Sequence, residues 1–359
     1  MSDSALEALI ANVRAAAAER RALSIRGGGT KDFYGRECAG ETLDTRALCG
    51  VVAYEPTELV MTAKAGTPLA EIEAQLEQGG QMLGFEPPRF GVGGTLGGAM
   101  ASGLSGPRRP YAGAARDFVL GVEIVDGVGA PLRFGGRVMK NVAGFDVARL
   151  MTGALGTLGV LTEISLRCVP RPPCEATVVR EVTADEAIRL PNEWGGRPLP
   201  LSATCYHGGR LYVRLSGAEP AVAAARDVIG GDPVAAAGEF WSSVRDHSHP
   251  FFVAARDGNA TLWRLSVRST TPHTDLGGEQ LLEWGGALRW LIAGDRTDAS
   301  RVRAWAKGQA GHASAFRGTD RATDPFQPLS GALLILHARL KAAFDPQGIL
   351  NPGRLYKEF

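Results

Sequence analysis

Arg26-Gly27-Gly28-Gly29-Thr30 follows directly on the short apolar run Ala22-Leu23-Ser24-Ile25. Glycines at a strand end let bare backbone N–H groups turn together and converge on an anion. Farther along, Gly91 through Gly113 holds eight glycines in twenty-three residues. Each glycine loses more chain entropy on folding than any other residue, so this density predicts that something approaches the backbone closely. The chemistry implied is the binding of a large phosphorylated cofactor. No Gly-x-Gly-x-x-Gly fingerprint and no Gly-x-x-x-x-Gly-Lys-[Ser/Thr] loop occurs, which disfavours NAD and ATP. A tight Gly-Gly-Gly-Thr turn remains, with a second stretch, Gly93 through Gly103, of mostly small residues along which a flat diphosphate-containing molecule fits. A flavin dinucleotide has that shape.

The elements that must position these turns are short. Leu6, Leu9, Ile10 and Val13 recur at helical spacing, predicting an N-terminal surface helix capped by Ser4-x-x-Glu7 and arguing against a secretory signal. Strands are predicted over 50–54 and 59–63, a helix from Thr67-Pro68 to Gly79-Gly80, the glycine-rich stretch as a long loop, a hairpin over 119–134 and a strand over 160–169. Pro170-Arg171-Pro172-Pro173 interrupts any sheet and marks a domain boundary, giving domains 1–172 and 173–359. Beyond it, a hairpin over 199–215, helices over 219–229, 239–247 and 298–309, and strands over 261–267, 287–292 and 312–316 predict an α+β layer of antiparallel sheet with helices on one face. A last helix spans 331–344 and is followed by a tail turning at Asn351-Pro352-Gly353.

Size and composition narrow the partners. With 359 residues, two domains are expected. A net charge of +1 supplies no field to attract nucleic acid or an anionic membrane surface. No apolar run approaches the roughly eighteen residues of a membrane-spanning helix, so membrane contact is expected only through a partner. Cys38, Cys49, Cys168, Cys174 and Cys205 form no Cys-x-x-Cys pair, so the cysteines predict a reducing, cytoplasmic setting without a metal or iron–sulfur site. His247-x-His249, just before a proline at a predicted helix end, reads as a solvated turn rather than a ligand pair.

Taken together, these motifs resemble the vanillyl-alcohol oxidase flavoproteins, the PCMH-type FAD-binding fold. Arg26 through Thr30 is similar to the first pyrophosphate loop, Gly94-Thr95-Leu96-Gly97-Gly98 to the second, Tyr111-x-Gly113 with Arg116-Asp117 to its continuation, and Gly156 through Glu163 to the strand beside the adenine half. Lys140 through Asp146 and the ending Phe344 through Arg354 resemble the D-2-hydroxyacid dehydrogenase branch. Within it, the short length, Phe251-Phe252, Leu262 through Ser266 and the tail are similar to the FAD-binding subunits of bacterial glycolate oxidases. The resemblance implies a two-part PCMH-type FAD-binding domain followed by an α+β cap domain, its tail returning to the flavin domain. It also implies FAD contacts from Arg26, Gly27, Gly28, Gly29, Thr30, Lys31, Gly94, Thr95, Leu96, Gly97, Gly98, Ser102, Tyr111, Arg116 and Val160. Lys31 and Asp32 follow Thr30 where covalently flavinylated relatives carry His or Cys, so non-covalent FAD is expected, with Cys38 a free buried thiol.

The Gly-His-x-Gly-Asp-Gly-Asn-x-His and Glu-His-Gly segments of catalytic relatives are missing. Oxidising a 2-hydroxy acid requires a cation for the carboxylate and a base for the hydroxyl proton. Arg264 and His207 are candidates, although a surface arginine and a polar hairpin edge are the plainer readings; Arg108-Arg109 reads as phosphate-neutralising or surface, and Tyr206 as hairpin edge. The resemblance implies one subunit of an assembly oxidising glycolate. A second flavin subunit and an iron–sulfur subunit would carry electrons toward membrane quinone, and only through them would the chain reach the inner membrane. Two alternatives stay open: a stand-alone FAD-dependent D-2-hydroxyacid (D-lactate) dehydrogenase, and a docking subunit whose FAD is structural.

Overall fold

The computed structural model describes residues 2–136, 146–258, 260–294, 297–318 and 324–359. Lys140 through Phe145 lie outside them.

Helix Ser2–Glu19 sets Leu9, Val13 and Ala16 against Leu23, Leu43, Leu48, Ile349 and Leu350. It begins at Ser2, so Ser4 sits within the first turn and is not the cap that its spacing to Glu7 predicts. Strand Leu23–Arg26 pairs in parallel with Glu41–Asp44, and Leu23 also bridges Leu350 from the far end of the chain. A five-stranded antiparallel sheet follows in the spatial order Val51–Glu55, Val60–Lys64, Val160–Arg167, Val119–Val125, Pro131–Gly135. Helices Leu69–Gln78 and Leu96–Ser102 bury Leu69, Ile72, Leu76, Leu96 and Met100 against it.

The helix Leu96–Ser102 corrects the expectation of one long loop. Thr95 is extended and its hydroxyl accepts from the Gly98 N–H at 3.3 Å, while Gly103, at φ +62°, ends the helix in the left-handed region. Two helix-opposing glycines inside it hid the helical pattern. Pro170, expected to break all pairing, sits at the end of the two-residue strand Val169–Pro170 beside Gln81–Met82, an edge position where its missing N–H costs no ladder bond.

An eight-stranded sheet occupies the second half in the order Asp232–Pro233, Cys174–Glu181, Arg210–Gly217, Leu201–His207, Gln280–Glu283, Leu288–Ile292, Leu262–Ser266, His312–Arg317; its assigned pairings are antiparallel. Helices cover both faces rather than the single face expected. Leu262, Leu288, Trp290 and Phe316 pack with Trp241, Val244, Phe251 and Phe252 of helices Ala237–Arg245 and Pro250–Asp257. Alternate residues of the same strands, Trp263, Leu265, Leu291 and Ala313, pack with Val302 and Ala306 of helix Ala299–Gly308. The helix Pro250–Asp257 also overturns the solvated turn at His247 and His249. His249 caps that helix, its Nδ1 accepting from the Phe251 N–H at 3.3 Å, and His247 is half-buried, stacked at 3.8 Å on Phe252.

Candidate functional site: a cleft between two glycine turns

The first glycine turn is held from three directions. The Ile25 N–H donates to Asn351 Oδ1 at 2.7 Å, the Asn351 N–H to the Leu23 carbonyl at 2.9 Å, and the Asn351 side-chain amide to the Leu155 carbonyl at 2.6 Å. The tail therefore fixes the strand end from which the turn departs. Gly29, at φ +73°, makes the turn, and Arg26 pairs with Asp32 at 2.7 Å across it. Among the described residues the amides of Gly27, Gly28, Gly29 and Thr30 donate to no acceptor within the chain. The second turn is pinned by main-chain bonds: Leu69 N–H to the Gly94 carbonyl at 2.9 Å, Leu96 N–H to Thr67 at 2.9 Å and Gly97 N–H to Ala65 at 2.7 Å.

The two turns touch. A Cβ built on Gly28 would lie 1.4 Å from the Gly93 carbonyl oxygen, and one on Gly27 would lie 2.5 Å from Thr95 Oγ1. Both turns open onto one cleft of about 760 Å³, counted out to its solvent-open mouth. Of the residues expected to contact FAD, Arg26, Gly27, Gly28, Gly29, Thr30, Lys31, Thr95, Gly97, Gly98 and Ser102 line it. So do Gly156 and Leu161, from the segment that the resemblance sets beside the adenine half, and residues that sequence reasoning did not assign, among them Thr45, Leu155, Asn351 and Arg354. The size, the unpartnered amides and the closeness of bare main chain fit a dinucleotide diphosphate.

Five expected contacts lie off this cleft. The Gly94 carbonyl is taken by Leu69, and Leu96 is buried in the sheet-side core. Val160 faces the core beside the N-terminal helix, because its strand neighbours Gly159 and Leu161 point the other way, into the cleft. Arg116 is exposed. Tyr111 lines a separate surface cavity with Arg109, Asn192, Ser269 and Trp284. Cys38 Sγ lies 3.9 Å from Asn351 Oδ1, and burial pushes its thiol up, away from thiolate.

A second, smaller cavity, about 300 Å³ counted out to its solvent-open mouth, lies between the halves, lined by Phe90, Arg245, His247, Arg264, Glu283, Trp290 and Phe316. Arg264 stands mid-strand opposite Trp290, with its guanidinium 5.4 Å from the Trp284 ring and 6.0 Å from the Trp290 ring. Glu283 Oε1 accepts from Trp290 Nε1–H at 2.7 Å. Burial pushes the Glu283 carboxyl up to about 7, against the opposing pull of that hydrogen bond and of Arg264. His247 is held neutral, well below its ordinary range, by burial and by the nearby Arg317 and Arg264. Lys31, 5.5 Å from the centre of the Phe90 ring, is lowered to about 8 by burial, partly offset by Asp246.

Of the two catalytic candidates, then, Arg264 lines the second cavity and His207 lines neither it nor the cleft. His207 Nε2 meets Glu279 Oε1 at 2.6 Å, and with Tyr206 it ends the strand Leu201–His207, which lies inside the sheet, between Arg210–Gly217 and Gln280–Glu283, rather than at the edge expected. Arg108 is neither a surface nor a phosphate-facing residue. It is buried, bonding Glu86, Glu175 and Ser216, while Arg214 reaches Glu86 at 2.9 Å, so the four charges tie the two halves together. Glu283 was missed, although Glu283-Trp284-Gly285 differs from the Glu-His-Gly sought in one residue. Among the described residues no group of three or more His, Cys, Asp or Glu could hold a metal.

Residues 4–135 match the family model described as an FAD binding domain, and residues 327–355 match the C-terminal domain of FAD linked oxidases. The solved structure of p-cresol methylhydroxylase with substrate bound superposes with a TM-score of 0.72 at 15% identity, covering 97% of this chain and 87% of that one. The fold is thus that of a vanillyl-alcohol oxidase-type flavoprotein, and the two domain matches make the chain an FAD-linked oxidoreductase. Glycolate oxidase subunit GlcE of Escherichia coli (strain K12) is 48% identical over 352 residues, 98% of this chain and 97% of that protein. Glycolate oxidase subunit GlcD of Bacillus subtilis (strain 168) is 31% identical over 157 residues, 43% of this chain and 33% of that protein. The chain belongs to the family of glycolate oxidase subunit GlcE, with FAD as its cofactor.

Proposed function

We propose that this chain is the FAD-holding subunit of an assembly that oxidises glycolate to glyoxylate. Residues 1–172 form the flavin-binding domain and 173–359 the cap, with the tail returning to steady the first turn. The likeness to subunit GlcE along almost the whole chain supports this reading most strongly. The cleft in which the two glycine turns meet agrees with it.

Gly27, Gly28, Gly29 and Thr30 present amides to the diphosphate; Thr95, Gly97, Gly98 and Ser102 form the opposite wall; Lys31 and Arg354 supply positive charge. FAD is held without a covalent bond, in keeping with the Lys31-Asp32 pair after Thr30 and with the protonated state of Cys38. When bound, the flavin supplies a two-electron acceptor for the hydride of a 2-hydroxy acid. The five cysteines are all free thiols, so onward electron transfer is assigned to partners, a second flavin subunit and an iron–sulfur subunit. No helix among the described residues is long and apolar enough to cross a membrane; we place the chain in the cytoplasm, meeting the inner membrane through those partners.

Purification from the native host tests this. The chain should emerge with partner subunits, and glycolate should bleach the flavin absorption of the complex. A chain that emerges alone, with flavin fully reducible by D-lactate, would replace the proposal with the stand-alone dehydrogenase.

A further inference from the structure

Arg264, half-buried, differs from the buried arginines. Arg108 and Arg214 are bonded to Glu86, and the buried Arg289 donates to the carbonyls of Gly286, Thr271 and Pro272. The Arg264 guanidinium lies over the faces of Trp284 and Trp290, with Tyr34 and Glu283 near enough to act on its charge; among the described residues it has no hydrogen-bond or ion-pair partner. Its guanidinium opens onto the inner cavity, and Glu283, the acid on the same wall, directs its Oε1 to Trp290 instead. Withdrawing a guanidinium from water without a partner is costly, and its planar fork of donors matches a carboxylate in bidentate fashion.

The surroundings limit what that carboxylate belongs to. At about 300 Å³, with walls from Phe90, Trp290 and Phe316, the cavity excludes a dinucleotide. Arg245, the other arginine on the wall, is paired with Asp246 at 2.7 Å, and one free cation beside an acid is poorly matched to a phosphate dianion, which takes clustered positive charge. Glu283 places a second polar group on the wall, able to donate to an oxo oxygen when protonated and to accept from a hydroxyl when ionised.

We propose that this cavity is a binding site for a small 2-hydroxy or 2-oxo acid, whose carboxylate pairs with Arg264 and whose C2 oxygen hydrogen-bonds Glu283. The inference rests on the proposed function and deepens it, since it places a substrate-class anion in this chain and not only in a partner subunit.

The FAD-loaded chain, free of partners, is titrated calorimetrically with glyoxylate and glycolate. Saturable binding at one site per chain is expected, with Arg264→Met weakening it at least tenfold, Arg264→Lys retaining part of it and FAD affinity unchanged in both. Unchanged acid affinity in a folded Arg264→Met variant overturns the inference. Should that variant not fold, the unsubstituted chain decides: glycolate should raise its melting temperature and the uncharged glycolamide should not. Equal shifts, or none, overturn the inference. Failure of FAD to load would instead strike the proposed function, so the two failures are distinct.

Discussion

Gly28→Ala is the sharpest perturbation of the cofactor cleft. The added methyl carbon would sit 1.4 Å from the Gly93 carbonyl oxygen and 2.4 Å from its carbonyl carbon, against main chain that no rotamer change can move aside. Restoring a 3.0 Å contact requires the two turns to part by about 1.6 Å. Overpacking of this kind costs ~1–3 kcal/mol, and misplacing a binding constellation by ~1 Å costs on the order of a hundredfold. FAD affinity should therefore fall about a hundredfold, or ~2.7 kcal/mol. Gly27→Ala meets the Thr95 hydroxyl at 2.5 Å, a group that can rotate, and should lose about tenfold or less. Gly238→Ala, on the helix Ala237–Arg245 with nothing within 4 Å, serves as the control. Titration by flavin fluorescence reads all three. A folded Gly28→Ala protein that binds FAD like its parent would refute the contact between the turns as the basis of binding.

Glu283 predicts a pH dependence of stability. Its carboxyl is raised from 4.5 to about 7, so the folded state binds the proton more tightly, and the stability it lends is present below the ordinary value and lost as pH rises through about 7. Glu283→Gln keeps an acceptor for Trp290, so urea unfolding should find it near parent stability at pH ~5 and up to ~3 kcal/mol more stable at pH ~8; an equal difference at both would contradict the raised carboxyl. Lys341, buried and bonded to Asp345 at 2.7 Å, the Thr157 carbonyl at 2.8 Å and the Leu350 carbonyl at 2.6 Å, anchors the tail. Lys341→Met strands the Asp345 charge and should cost ~3–5 kcal/mol in thermal unfolding, with a loss below ~1 kcal/mol contradicting the anchor. Arg108→Met breaks the links to Glu86 and Glu175 and should speed limited proteolysis between the halves.

Elements with strong periodicity were legible in the sequence. Helix Glu219–Ile229 and the hairpin Leu201–Gly217 carry regular apolar spacing and clear turn residues, and the structure has them where the pattern predicts. Helix Ala184–Gly195 was not, because Pro191 stands inside it, its capping box at Thr183 and Glu186 notwithstanding. Strand Glu41–Asp44 has one buried side chain, Leu43, and so shows no pattern. At the site, the glycine turns were readable as turns, since their conformations are local. Asn351 and Arg354 were not assigned there, because they reach the cleft only when the chain's two ends meet at Leu23 and Leu350. Trp284, standing where a histidine was sought, masked Glu283 for the same reason: its surroundings come from strands distant in sequence.

The central claim is that unpartnered main-chain amides on the first of two touching turns hold FAD. Its most direct test is to strip the purified chain of flavin and titrate it with FAD, following flavin fluorescence and counting bound molecules. Uptake of one FAD per chain, weakened by Gly28→Ala and left intact by Gly238→Ala, is the predicted result. A folded chain that takes up no FAD, or takes it up equally with Gly28 replaced, would contradict the account.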